Sequence, residues 1–279
     1  MASVTKKLAD HYAKTVPKFQ RVLKAAVDRD INEADTVAIV KDIFSDVMGF
    51  DKYTEITREY AIRGTFCDLA IKIEDKLQYL VEVKAIGLEL KENHLRQAVN
   101  YGANQGVQWV VLTNGVRWEL HRIRFEKPVK HELVSSFDFL DLRPKKLEDQ
   151  EVLFLFSSDG LQKSAREDYY ERVKSVNRFV IGNIVLSDPV VTLIRREVKK
   201  LSKGLKLDKP EVDAILRKEV LKRDVIEGEE AAKALARVKQ IARKTKKPQK
   251  SGKRTETTRT TSAAPIPHQK PESGDGGTV

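Results

Sequence analysis

Three residue types capable of shared chemistry fall close together in residues 64–85, which read GTFCDLAIKIEDKLQYLVEVKA. The stretch has the pattern of two adjacent strands, residues 66–73 and 77–84, joined by the polar turn Glu74-Asp75-Lys76. Strand side chains alternate between faces, so Val81, Val83 and Ala85 point one way while Leu80, Glu82 and Lys84 point the other. Asp68, on the face expected to carry Phe66 and Ala70, comes close to Glu82 across such a hairpin. Two carboxylates and an ammonium at one point suit a hard divalent cation, which takes one or two carboxylates and leaves its other positions to water and phosphate oxygens. Such an ion polarises a scissile phosphate and acidifies a bound water, while a lysine orients that water or stabilises developing charge. Spacing alone leaves the bland alternative at even weight: an exposed Glu-x-Lys strand face with Asp68 in a turn.

The elements that must position these residues lie on both sides. Residues 4–27 carry Phe19, Val22, Leu23, Ala26 and Val27 at helical spacing, with an interruption or restart expected near Pro17. A second helix is expected from an Asn32 cap to Val47, with Val37, Val40, Ile43, Phe44 and Val47 inward and Gly49 beyond its end. Glu33 in its first turn suits the helix dipole. Residues 53–60 form the expected first strand, with Glu59 as a weaker acidic candidate. After the hairpin, residues 91–104 read as a helix on which Gln97 and Tyr101, four apart, share a face. The plainer alternative makes Tyr101 a core aromatic with a satisfied hydroxyl and Gln97 a surface amide. His94, one turn earlier, reads as a surface residue. Residues 107–112 and 116–123 form two further strands around the turn signal Asn114-Gly115.

Asp68, then Glu82-Val83-Lys84, then Gln97 and Tyr101 in a QxxxY spacing resemble the PD-(D/E)xK nuclease superfamily, and the surrounding sequence resembles the N-terminal nuclease domain of type I restriction enzyme R subunits. The resemblance spans residues 31–123; Cys67 stands where such motifs carry proline. It implies an α/β fold with a restriction-endonuclease-like αβββαβ core and a mixed central sheet, here with one added strand. It also implies that Asp68 and Glu82 ligate Mg²⁺ or Mn²⁺, that Lys84 orients water or stabilises the transition state, and that Glu33, Gln97 and Tyr101 complete the site. The implied activity is metal-dependent DNA endonuclease cleavage in restriction or phage defence. The competing class is a noncatalytic DNA-binding or assembly module that retains the fold, and an RNA substrate is a third reading.

Composition frames both. The 279 residues carry 52 Lys and Arg against 41 Asp and Glu, a formal net charge of +11, which favours polyanionic partners. One cysteine, Cys67, excludes an intrachain disulfide and a cysteine zinc cluster, in keeping with a reducing cytoplasm. Residues 1–20 hold no apolar signal core, and no run reaches the length of a membrane span. A soluble cytoplasmic protein is expected, acting alone, as a homo-oligomer or with separately encoded restriction or defence subunits. No G-x-x-x-x-G-K-[ST] loop, GxSxG or HExxH occurs, so no ATP-driven motor is expected in these residues.

The expected organisation is an N-terminal helical segment (1–30), the nuclease-like domain (31–143), a helical region (144–227), and a charged helix with a basic disordered tail (228–279). Helices are expected at 150–156, 165–184, 189–201, 210–221 and 229–244, with Ser187 or Asp188 capping the helix at Pro189. The run Arg195, Arg196, Lys199 and Lys200 reads as a solvated face, with a nucleic-acid backbone as the minority alternative. His121, Arg122 and Arg124 end the last strand, where a phosphate contact competes with simple solvation. Tail residues 245–279 contain too few large apolar side chains to offset the entropy of ordering.

Overall fold

The computed structural model describes residues 4–62, 65–201 and 204–245. The expected tail and its basic cluster beyond Thr245 lie outside these residues, as does Gly64. The chain divides into two compact units, residues 1–178 and 179–279.

The first unit is built on one mixed sheet in the order β1-β2-β3-β4-β5-β6: β1 (Ile56–Ile62), β2 (Thr65–Ile73), β3 (Lys76–Val83), β4 (Trp109–Thr113), β5 (Arg117–Arg124) and β6 (Lys130–Asp138). All neighbours pair antiparallel except β3 and β4, which run parallel with Glu82 opposite Leu112 and Val83 opposite Thr113. A parallel pair needs a crossover, and α3 (Glu92–Gln105) supplies it. The strand β6 adds a second strand to the expected core where one was anticipated. Only Ser135 and Phe137 of its nine residues are buried, so its apolar alternation is weak, as befits the sheet edge.

α1 (Lys6–Asp28) and α2 (Glu33–Asp46) cover one face of the sheet. Tyr12, Val16, Phe19 and Leu23 of α1 and Val40, Ile43 and Phe44 of α2 join Leu69, Ile71, Tyr79, Val81 and Val83 in the main core. α1 is continuous, which corrects the expected interruption at Pro17. Pro17 is exposed, and buried residues on either side of it, Val16 and Phe19, hold the helix to the core. On the opposite face, Leu95, Ala98 and Val99 of α3 pack on Val110, Leu112 and Ile123. Gly102 permits this approach: a Cβ there would lie 2.4 Å from Ile123 Cδ1 and 3.1 Å from the Val107 carbonyl oxygen.

α4 (Leu147–Phe156), α5 (Ser158–Gln162) and α6 (Ala165–Ser175) complete this unit, with Leu153, Phe154, Phe156 and Tyr170 in the main core. The helix expected over 165–184 is two helices, α6 and α7 (Arg178–Val185). At the break the Asn177 side-chain amide donates to the carbonyls of Val173 and Lys174, ending α6 locally. The second unit holds α8 (Asp188–Leu201), α9 (Lys209–Ile215), a π-helical turn at Leu216–Val220, α10 (Arg223–Ile226) and α11 (Glu229–Thr245). Its core gathers Val191, Val212 and Leu216. Among the described residues, no helix is long and apolar enough to cross a membrane.

Candidate active site

The site forms where β2 peels away from β3. Their pairing is regular from Ile73–Lys76 to Leu69–Val81 apart from a shift at Ile71/Lys72, and Leu69–Val81 is the last pair. Beyond it the Val83 N–H would lose its strand partner, and the Asp68 carboxylate takes that place: Val83 N donates to Asp68 Oδ2 at 2.7 Å. Side-chain alternation slips at the same point, because Cys67 packs with Ala70, Leu80 and Tyr101 rather than with Leu69 and Ile71. The Cys67 thiol donates to the carbonyls of Val81 (3.2 Å) and Leu69 (3.5 Å), and burial holds its pKa well above the ordinary range.

Glu82 is 1% exposed. Lys84 Nζ donates to its Oε1 at 2.7 Å, while Oε2 has no hydrogen-bond partner among the described residues. Burial, and then the Asp68 charge, push the Glu82 pKa from 4.5 up to about 7 against the opposing pull of Lys84. Burial also raises Asp68, offset in part by the Val83 N–H and Lys84. For Lys84, burial works to lower the pKa, but Glu82, Asp68 and Glu33 more than compensate and hold it above the usual lysine value. The ammonium is therefore charged at neutral pH.

Glu33 reaches the same ammonium from the other layer, with Oε2 3.6 Å from Lys84 Nζ. Its position follows from the expected cap, since Asn32 Oδ1 accepts from Asp35 N at 2.9 Å and starts α2 at Glu33. Gln97 and Tyr101 meet as their spacing requires, the Gln97 amide donating to the Tyr101 hydroxyl at 3.1 Å. Tyr101 packs against Cys67 and Leu80, on the sheet face that alternation gives to Glu82. The structure thus brings Asp68, Glu82, Lys84 and Glu33 together, and sets the Gln97–Tyr101 pair against Cys67, the neighbour of Asp68. Glu59 contributes only a long-range charge effect on Asp68.

Two further residues shape the site. His94 Nδ1 accepts from Lys91 N at 3.2 Å, which satisfies the backbone donor at the start of α3, and burial followed by the Lys84 charge lowers its pKa. Asn114 is 9% exposed, and its amide donates to the carbonyls of Ile86 (3.2 Å) and Leu88 (2.9 Å), latching the loop that leaves Lys84. Its Oδ1 also accepts from Val116 and Arg117 N. The sequence signal at Asn114-Gly115 was visible as a turn, but the latch depends on a loop far away in the chain.

An α/β sheet protein with an acidic pair and a lysine at the end of its parallel strand pair is the class that this geometry defines. Residues 46–137 match the family described as type I restriction enzyme R protein N terminus (HSDR_N), a restriction-enzyme-related nuclease fold. That segment runs from the end of α2 through β6 and contains Asp68, Glu82, Lys84, Gln97 and Tyr101; Glu33 precedes it. No curated protein and no solved structure matches the chain.

Proposed function

We propose that the protein is a divalent-metal-dependent deoxyribonuclease that hydrolyses phosphodiester bonds in restriction or phage defence. The observation that carries this reading is Glu82: a buried carboxylate with an orphaned oxygen, beside a second carboxylate and a charged lysine. Two like charges in a poorly solvated spot are unfavourable unless a cation joins them, so the residues present fit a metal ion. Among the described residues, no three His, Cys, Asp or Glu side chains group to hold one. Asp68 and Glu82 would be the protein ligands, leaving room for water and substrate oxygens, which suits Mg²⁺ or Mn²⁺. Bound there, the ion would polarise the phosphate and acidify an attacking water.

The chain's own groups do the rest. Lys84, charged and tethered to Glu82, acts as a donor that positions water or neutralises charge on phosphate oxygens; it is not a general base. Glu33 keeps that ammonium over the carboxylates. The Gln97–Tyr101 pair packs the strand end against α3, and Asn114 fixes the loop beyond Lys84. Partners on this reading are DNA and either a second copy or separately encoded restriction subunits.

Cleavage of supercoiled, linear and single-stranded DNA with Mg²⁺ or Mn²⁺ tests the proposal. Asp68→Asn keeps an acceptor for Val83 N, and Lys84→Ala removes the ammonium. Each is expected to lower the rate by about a hundredfold or more, with no cutting in EDTA. Wild-type rates in both variants would sink the mechanism.

A further inference from the structure

Strand alternation divides the basic run at the end of β5. His121 lies opposite Val110 and, with Ile123, turns toward α3, whereas Arg122 lies opposite Trp109 on the other face. On that face Gln108, Arg122, Arg124, Phe125, Tyr170 and Lys174 contribute to a pocket of ≈ 200 Å³. Its lining holds three cationic side chains against one carboxylate, Glu171.

The three cations are not equivalent. Arg124 is paired with Glu126 and Glu132, and Glu132 also accepts from the Tyr170 hydroxyl at 2.6 Å, so this group forms a wall. Lys174 lies 3.9 Å from Glu132. Arg122 has no carboxylate within ion-pair distance among the described residues, and the only hydrogen bond its guanidinium makes among them is a long one, 3.4 Å, to Gln108 Oε1. Its guanidinium lies 4.2 Å from the Tyr170 ring centroid and 5.4 Å from that of Trp109. Those contacts hold the flat group while leaving most of its N–H edge unused, a preorganised fork for an oxyanion. At the lip, the Phe125 side chain remains 49% exposed, which leaves its ring open to a planar group.

We propose that this pocket binds a phosphate group of a nucleic-acid strand or nucleotide, with Arg122 as the charged contact and Phe125 as a stacking face for the adjoining base. The size suits this ligand. Pockets that engulf drug-sized molecules hold roughly 300–1,000 Å³, so this one takes a phosphate and leaves the base outside on the ring. The site is separate from the acidic pair: Arg122 is opposite Trp109 at the start of β4, whereas Val83 is opposite Thr113 at its end, about 13 Å away along the strand. It does not depend on the chain cutting DNA.

The test is binding by the full chain in EDTA. The probes are a short single strand with a 5′-phosphate, the same strand with a 5′-hydroxyl, and a free nucleoside monophosphate, against wild type, Arg122→Gln and Lys174→Gln. Arg122→Gln is expected to weaken at least one probe about tenfold, the scale of one charge-assisted contact. Loss confined to the 5′-phosphate strand assigns the pocket to a strand end, equal loss on both strands assigns it to a backbone phosphate, and loss on the monophosphate alone assigns it to a free nucleotide. Unchanged affinity for all three probes overturns the proposal. Should Arg122→Gln fail to fold by circular dichroism, Lys174→Gln decides: weaker binding of a phosphate probe supports the pocket, and wild-type affinity overturns it.

Discussion

Glu82 carries a penalty that pH exposes. In the unfolded chain its carboxyl titrates near 4.5, and in the folded, metal-free protein near 7. Below pH 4.5 both states hold the proton and above 7 both have released it, whereas between these values the folded state keeps a proton that the unfolded chain has lost. The neutral carboxyl therefore contributes stability that is fully present below 4.5 and disappears as pH rises toward 7. Asp68, raised by the same burial, adds in the same direction. In EDTA, the stability of wild type relative to Glu82→Gln is expected to fall by about 3 kcal/mol between pH 4.5 and 7.5. Urea denaturation at a series of pH values measures this, and parallel curves for the two proteins would refute it.

At the scale of elements, the site depends on how a loop and a helix are pinned. Asn114 satisfies two carbonyls of the loop after Lys84 while holding its own turn. Asn114→Ala is expected to cost about 2 kcal/mol by urea denaturation, because it leaves the buried Ile86 carbonyl and the partly buried Leu88 carbonyl without their donor; a loss below 0.5 kcal/mol would mean that water replaces the latch. Much of this layout was legible beforehand. Asn32 announces α2 through its cap, the strand–turn–strand pattern announces β2 and β3, and Gln97 and Tyr101 meet because a helix places residues four apart on one face. What escaped depends on distant packing. Nothing local in Asn114 reveals Ile86 and Leu88, edge strand β6 buries too little for a clear alternation, and Pro17 is tolerated because α1 turns it to solvent. The slip that moves Cys67 off the face of Leu69 arises only where β2 parts from β3.

Across the whole molecule, every residue of the candidate site lies in the first compact unit, between Glu33 and Asn114. The sheet and both covering layers are in that unit too. Residues 1–178 expressed alone are therefore expected to unfold in one cooperative transition, measured by calorimetry; a chain without a transition would show that the core needs the second unit. The same fragment retains the molecule's single thiol. Cys67 is fully buried at the point of strand divergence, its sulfur bonded to Val81 and Leu69 and burial holding it in the unreactive thiol form. An alkylating reagent can reach it only when β2 lifts from β3, so labelling at that sulfur serves as a stopwatch for the breathing of the acidic centre, and a divalent ion that staples the two strands together should slow it.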